Sequence, residues 1–276
     1  MHASPRSSDH DYVVLATPRS GSTYLCDALA RAGAGDPQEW FSRALIHHHA
    51  GEWGLRGPSS SVRRPDVSDP AAYLEGVALG ARVDGILSAK VHWHQHEWVE
   101  EHFGRSPLDM FGESGRPAAV LIHRTDLVGQ AVSSLIAETT HVFFQRKGEE
   151  PEVSYEYEGE SRSDTVEYDF FELLRRVIRF AEDEENWSRF VADRGLRSVG
   201  VAYEALVDDL AGTVSGVLAH LGIPARGEPT SGLAKQATAL NQEFCERFRA
   251  DLRGHGVVGS LSAAMAHRLG LEGATA

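Results

Sequence analysis

The apolar positions of this chain follow two alternating patterns. Tyr12–Ala16 (Tyr-Val-Val-Leu-Ala) and Ala118–His123 (Ala-Ala-Val-Leu-Ile-His) are apolar at successive residues. Such short continuous runs read as strands buried on both faces, as in a parallel sheet. Gly85–Trp93 and Arg197–Tyr203 read as two more strands. Between them the apolar residues recur every three or four positions, the signature of a helix with one buried face. Leu25, Ala28, Leu29 and Ala32 predict a helix over Thr23–Ala32, stopped by Gly33 and Gly35. Leu74, Val77, Ala78 and Ala81 predict another over Ala71–Val83. Further helices are predicted over Asp126–Ala137, Leu210–Leu221 and Ala234–Leu252. A long one is predicted over Tyr168–Val191, with Phe171, Leu174, Ile178 and Ala181 as its apolar stripe and Trp187 and Phe190 as core positions. Strands alternating with helices give an α/β fold with a mostly parallel central sheet flanked by helices. No repeat or linker divides the sequence, so one domain over residues 1–276 is expected, with 1–11 and roughly 255–276 as tails and 146–166 as an acidic insertion loop. In such sheets ligands sit beyond the carboxyl ends of the strands, which directs attention to the residues after Ala16, Trp93 and His123.

After the first strand comes Thr17-Pro18-Arg19-Ser20-Gly21-Ser22-Thr23. Gly21 lets the backbone turn without a Cβ clash, and the amides of Gly21 to Thr23 converge at the positive end of the next helix. Ser22 and Thr23 offer hydroxyls, and Arg19 supplies a planar cation suited to phosphate or sulfate. This is a P-loop-like anion site. It lacks the first Gly and the Lys of a GxxxxGK[ST] nucleoside-triphosphate loop, so the usual Mg²⁺-holding arrangement is incomplete.

Composition bounds the partners. Of 276 residues, 42% are apolar and 24% charged, which is ordinary for a globular protein, and the net charge is −13. That acidic balance argues against a nucleic-acid partner, so an anionic ligand needs a local cationic site of the kind the loop provides. Cys26 and Cys245 stand in neither a CxxC pair nor a zinc-ligand spacing and read as reduced core thiols. No apolar run approaches the ~20 residues that span a bilayer, and Met1–Asp11 has no signal-peptide core, so a cytoplasmic protein with no membrane partner is expected.

The stretch Leu15-Ala-Thr-Pro-Arg-Ser-Gly-Ser-Thr-Tyr-Leu-Cys, followed by Gly35-Asp36-Pro37-Gln38-Glu39-Trp40-Phe41, resembles the Stf0 family of bacterial sulfotransferases. These use 3′-phosphoadenosine 5′-phosphosulfate (PAPS) and are typified by trehalose 2-sulfotransferase. The likeness continues through Lys90–Gln95, the strand ending at Arg124, and Tyr168–Gly222 with Val201-Ala-Tyr-Glu-Ala-Leu. It implies transfer of a sulfuryl group from PAPS to a hydroxyl of a carbohydrate or other small molecule, with no metal required. It places Arg19, Ser20, Gly21, Ser22 and Thr23 at the 5′-phosphosulfate. Arg124 and Ser133 fall at the 3′-phosphate, with Ser134 as an alternative to Ser133. Glu39 falls at the general base, and Lys90 faces the acceptor or the sulfuryl group. Gln38, Trp40 and His94 are acceptor-binding candidates; at the position of His94 the family more often has Asn. Homodimerisation is suggested only by the resemblance.

Other readings stay open at this point. One is a nucleoside-triphosphate-dependent small-molecule kinase on the same loop, and another is a non-catalytic nucleotide-binding protein. His92, His94 and His96 alternate and would share a face of an extended strand. No carboxylate or Cys completes a metal set there and the segment turns helical near Gln95, so metal binding is set aside and His92 is kept as an alternative base. His47-His48-His49 reads as an exposed polar turn. The acidic loop, with Tyr155 and Tyr157 among glutamates, reads either as a solvated insertion or as an acceptor-recognition lid.

Overall fold

The structure is a computed structural model that describes residues 10–112, 116–150, 163, 165–234, 238–256 and 262–271. Most of the acidic insertion, including Tyr155 and Tyr157, lies outside the described residues. The chain divides into two compact units, each discontinuous in sequence.

The first unit (1–17, 21–123 and 184–231) holds the sheet. Its strands are β1 (Tyr12–Ala16), β2 (Arg82–Val83), β3 (Ile86–His92), β4 (Ala118–His123) and β5 (Ser198–Ala202), in the order β2-β3-β1-β4-β5. β1 pairs in parallel with both β3 and β4, and β4 with β5; only the two-residue β2 is antiparallel. The fold class is therefore the α/β, mostly parallel sheet expected from the alternation. From β1 the chain goes first to β3 on one side and then to β4 on the other. The carboxyl end of β1 is thus the point where strand order reverses, the position at which α/β sheets bind ligands.

Burial explains why these runs form strands. Val13 and Leu15 pack on one sheet face with Phe41, Ile46, Tyr73, Val77, Val99 and Trp187. Tyr12, Val14 and Ala16 pack on the other with Leu25, Leu29, Val214 and Leu218. Successive β1 side chains point to opposite faces, and both faces are covered. The covering helices are α1 (Ser22–Arg31), α2 (Arg43–Glu52), α3 (Pro70–Gly80), α4 (Trp93–Phe103), α7 (Tyr203–Asp208) and α8 (Leu210–Leu221), with a 3₁₀ turn at Pro107–Phe111.

The second unit (18–20, 124–183 and 232–276) is helical. It contains α5 (Leu127–Thr140), α9 (Ala239–Gly254), α10 (Ala263–Leu269) and the first part of α6 (Phe170–Asp193). Leu127, Val128, Val132, Leu173, Val177, Phe180, Phe248 and Leu269 form its core. The C-terminal stretch read as a tail thus carries α10, with Leu269 and Leu271 buried.

Three expectations are corrected. The helix predicted over Ala71–Val83 ends at Gly80, and Arg82–Val83 is strand β2, tied to Asp11 by the Arg82 guanidinium at 3.1 Å. The stripe of α6 is out of phase: Phe171 and Ile178 are 74% and 49% exposed, whereas Leu173, Val177, Phe180, Trp187 and Val191 are buried. His47-His48-His49 is not a turn but the middle of α2, which Ser42 caps through the Leu45 amide and which buries Ala44, Ile46 and Ala50.

Candidate active site

In the first unit, Glu39 is held against β3. The Lys90 amide donates to the Gln38 carbonyl at 2.9 Å, an isolated parallel bridge that pins Pro37–Glu39 beside the strand. Because side chains alternate along a strand, Lys90 and His92 share a face, the one turned to α1. Lys90 Nζ lies 2.5 Å from Glu39 Oε1 and donates to Thr23 Oγ1 at 3.0 Å. His92 Nδ1 is 3.9 Å from Glu39 Oε2, and its Nε2 is 3.5 Å from Ser22 Oγ. Gln95, on α4, donates to Glu39 Oε2 at 3.0 Å. Two β3 side chains therefore connect one carboxylate to the two hydroxyls that open α1.

The electrostatics follow from this packing. Burial alone would raise the Glu39 pKa, but the Lys90 ammonium, the His92 ring and hydrogen bonds from Lys90 and Gln95 outweigh it and hold the carboxyl well below the usual carboxylate range. Burial pushes His92 down to about 4, against the pull of Glu39 and with the repulsion of Lys90. The ring is thus neutral at pH 7, and Lys90 is the cation that keeps Glu39 ionised. The Cys26 thiol, on α1, is pushed up by burial to about 12 and stays protonated.

The loop before α1 is strained. Arg19 and Gly21 both adopt left-handed backbone, with φ of 61° and 88°. For Arg19 this costs about 1–2 kcal/mol. Gly21 has no alternative: a Cβ there would lie 2.3 Å from Cδ2 of Tyr203, the first residue of α7. Gly21 caps α1 and carries no side chain that could satisfy the first-turn amides of the helix, the end at which anions bind.

In the second unit, Arg19 Nε donates to Ser133 Oγ at 3.0 Å, and its Nη1 reaches the Phe143 carbonyl. Gln130 Nε2 donates to the Pro18 carbonyl at 2.7 Å, fixing that turn to α5. Arg124 lies 3.8 Å from Asp126, which caps α5 through the Gly129 amide and also accepts from Arg249 at 2.9 Å. Ser134 is buried and engaged by Glu138 and Arg176, whereas Ser133 is half-buried and reached by Arg19.

Ser20 is buried in the loop. Gln38 is exposed and bonds to Asp36 at 2.8 Å. Trp40 is half-buried, its ring 4.9 Å from that of His49, and its carbonyl accepts from Tyr73. His94 is exposed in the first turn of α4, 5.5 Å between ring centroids from His92. The alternation of His92, His94 and His96 therefore ends with β3, and His96 is buried among Trp93, Trp187 and Phe190. Among the described residues, the metal-ligating types that come together are His48, His49 and Glu52, on α2, where they pair with one another. Gln95 and Tyr203 were not singled out by sequence; the signal for Gln95 was its place as the third residue after the His92 cap of α4, a capping-box position.

The whole pattern, from the loop through Glu39 to α9, matches the Stf0 sulphotransferase family model over residues 11–251. The chain belongs to the Stf0 sulphotransferase family. It is 29% identical to a trehalose 2-sulfotransferase of Mycobacterium tuberculosis over 265 residues, covering 87% of this chain and 94% of that protein. To the trehalose 2-sulfotransferase of Mycolicibacterium smegmatis it is 27% identical over 277 residues, covering 91% and 99%. A solved sulfotransferase from Alicyclobacillus acidocaldarius aligns with a TM-score of 0.45 at 13% identity, covering 94% of this chain and 98% of that one. No helix among the described residues is long and apolar enough to cross a membrane.

Proposed function

We propose that this Stf0 sulfotransferase moves a sulfuryl group from PAPS to a hydroxyl of a carbohydrate or other small-molecule acceptor, with Glu39 as general base. The observation that carries the reading is the chain of contacts from Glu39 through Lys90 to Thr23. A carboxylate kept ionised beside a helix N-terminus pairs a proton acceptor with an anion-binding end. The names of the two mycobacterial relatives favour a sugar such as trehalose as acceptor.

In the step so described, the acceptor oxygen attacks sulfur in line and gives its proton to Glu39. The new O–S bond forms as the bond from sulfur to the 5′-phosphate oxygen breaks, and that electron pair leaves with 3′-phosphoadenosine 5′-phosphate (PAP). Arg19, Ser20, Gly21, Ser22 and Thr23 hold the phosphosulfate and its developing charge. Lys90 is poised for two partners. An ammonium on Glu39 weakens it as a base, so a shift of Lys90 toward a sulfuryl oxygen raises Glu39's basicity as the donor is seated. Arg124 and Ser133 hold the 3′-phosphate; the engagement of Ser134 by Glu138 and Arg176 favours Ser133 over its neighbour. His94, Gln38 and Trp40 flank the acceptor. No metal is needed.

The test is mass spectrometry of acceptor panels (trehalose, other glycosides, phenols) incubated with PAPS. Addition of one sulfo group is expected, and Glu39→Gln should lose about 10²–10⁴-fold in turnover with PAP binding kept. Undiminished turnover by Glu39→Gln would remove Glu39 from the chemistry.

A further inference from the structure

We propose that Gln95 is the positioning residue for the Glu39 carboxylate, a fixed donor that sets which oxygen of Glu39 meets the acceptor hydroxyl. The inference rests on the reading of Glu39 as base and extends it to a residue on a different element.

A glutamine side chain can be turned end for end, and its oxygen and nitrogen then exchange partners. Here both partners select one orientation. The His92 backbone amide points at Gln95 Oε1 at 3.0 Å, and a backbone N–H can only donate. Glu39 Oε2 lies 3.0 Å from Gln95 Nε2, and an ionised carboxylate can only accept. Turning the amide would set donor against donor and acceptor against acceptor. Gln95 is 4% exposed, so water does not relieve that conflict cheaply.

The anchor is local and rigid. Gln95 is the third residue of α4, and its acceptance from the His92 amide is half of a capping box closing the β3–α4 junction. The helix start therefore fixes the donor, and the donor fixes Glu39. Lys90 takes Oε1 and Gln95 takes Oε2, so each carboxylate oxygen carries one hydrogen bond and keeps one lone-pair direction for the acceptor proton. The two restraints differ in kind. Lys90 also bonds Thr23 and has a reason to move when an anion arrives, whereas Gln95 is neutral and tied to backbone. Gln95 thus keeps the carboxylate aimed after the ammonium has shifted. The charged and titratable groups facing Glu39 are Lys90 and His92 from β3 and Cys26 from α1; His92 and Cys26 are neutral at pH 7.

Two variants separate positioning from packing. Gln95→Glu keeps the oxygen that caps His92 but sets a second carboxyl group against Glu39 in place of the amide donor; Gln95→Met removes both bonds at similar volume. Each is compared with wild type and Glu39→Gln in sulfuryl transfer from PAPS. The readouts are kcat, acceptor KM, PAP binding and thermal midpoint. Loss of a hydrogen bond to a charged group is worth about tenfold or more. Both Gln95 variants should therefore lose at least about tenfold in kcat, with acceptor KM and PAP affinity nearly unchanged. Wild-type kcat in both variants, with Glu39→Gln inactive, would overturn the role of Gln95 while leaving the base in place. Full turnover by Glu39→Gln would overturn the base itself.

Discussion

Replacing Gly21 by Ala isolates the demand that the loop makes on its backbone. The perturbation has two parts, and both can be sized from the structure. At φ 88° an L-residue sits in left-handed backbone, which costs about 1–2 kcal/mol. The new Cβ would also lie 2.3 Å from Cδ2 and 2.9 Å from Cε2 of Tyr203, so the ring or the loop must shift. Overpacking of this kind costs about 1–3 kcal/mol. Together these predict a loss of about 2–5 kcal/mol, or about 0.7 M or more off the urea midpoint for an m-value of ~1–3 kcal/mol/M. Gly200→Ala is the control, because a Cβ on that β5 residue meets nothing within 4 Å. The two parts separate in a double-mutant cycle with Tyr203→Ala. Removing the ring abolishes the clash but not the backbone cost, so Gly21→Ala should be about 1–3 kcal/mol less damaging in the Tyr203→Ala background. The assay is urea unfolding of the four proteins and the control, with PAP calorimetry on each. A Gly21→Ala protein within ~0.5 kcal/mol of wild type, or a cycle additive within that margin, would refute the close approach of Tyr203 to the loop.

Three further outcomes are expected. Arg124→Ala should weaken PAP about 10–100-fold by calorimetry while leaving the affinity for 5′-AMP nearly unchanged, since only PAP carries the 3′-phosphate; equal losses for both nucleotides would remove Arg124 from that role. Ser133→Ala should weaken PAP with little change in thermal midpoint, whereas Ser134→Ala should lower the midpoint by breaking its contacts with Glu138 and Arg176; the reverse pattern would exchange the two serines. Burial, with the nearby Arg194 charge, lowers His96 to about 4, so the unfolded chain binds more protons than the folded one between the ordinary imidazole value and pH 4. Stability should therefore fall as pH drops from ~6.5 toward 4, by up to about 1.4 kcal/mol per pH unit for this ring, and His96→Phe should flatten the urea midpoint across that window; an identical slope in the variant would contradict the buried neutral imidazole.

Much of the fold is legible because apolar runs and apolar periodicity report burial directly. β1 and β4 are apolar at nearly every residue because helices cover both faces of the sheet, and that pattern survives without any tertiary information. The failures are equally physical. α2 has a weak apolar stripe interrupted by three histidines, one of which is sandwiched between Trp40 and Trp53, a partnership no local window shows. In α6 the apolar Phe171 and Ile178 face outward while Asp183 lies inward, so residue type misassigns the phase. The loop after β1 stood out as an anion-binding candidate from its glycine, hydroxyls and position after a strand. Glu39 and Lys90 are far apart in sequence, and only the family likeness linked them before the Gln38 bridge to β3 gave the physical reason. Gln95 escaped notice because its local signal, a capping-box position, accounts for only one of its two bonds; the bond to Glu39 comes from a partner that only the fold supplies.

The most direct test of PAPS as the donor is calorimetric binding of PAP and ADP, in parallel and without added metal. The bisphosphate places one anion at the loop and a second on the 3′ position, whereas ADP has only the 5′ chain. The account predicts tight binding of PAP and much weaker binding of ADP. Equal or preferential binding of ADP would contradict a PAPS site.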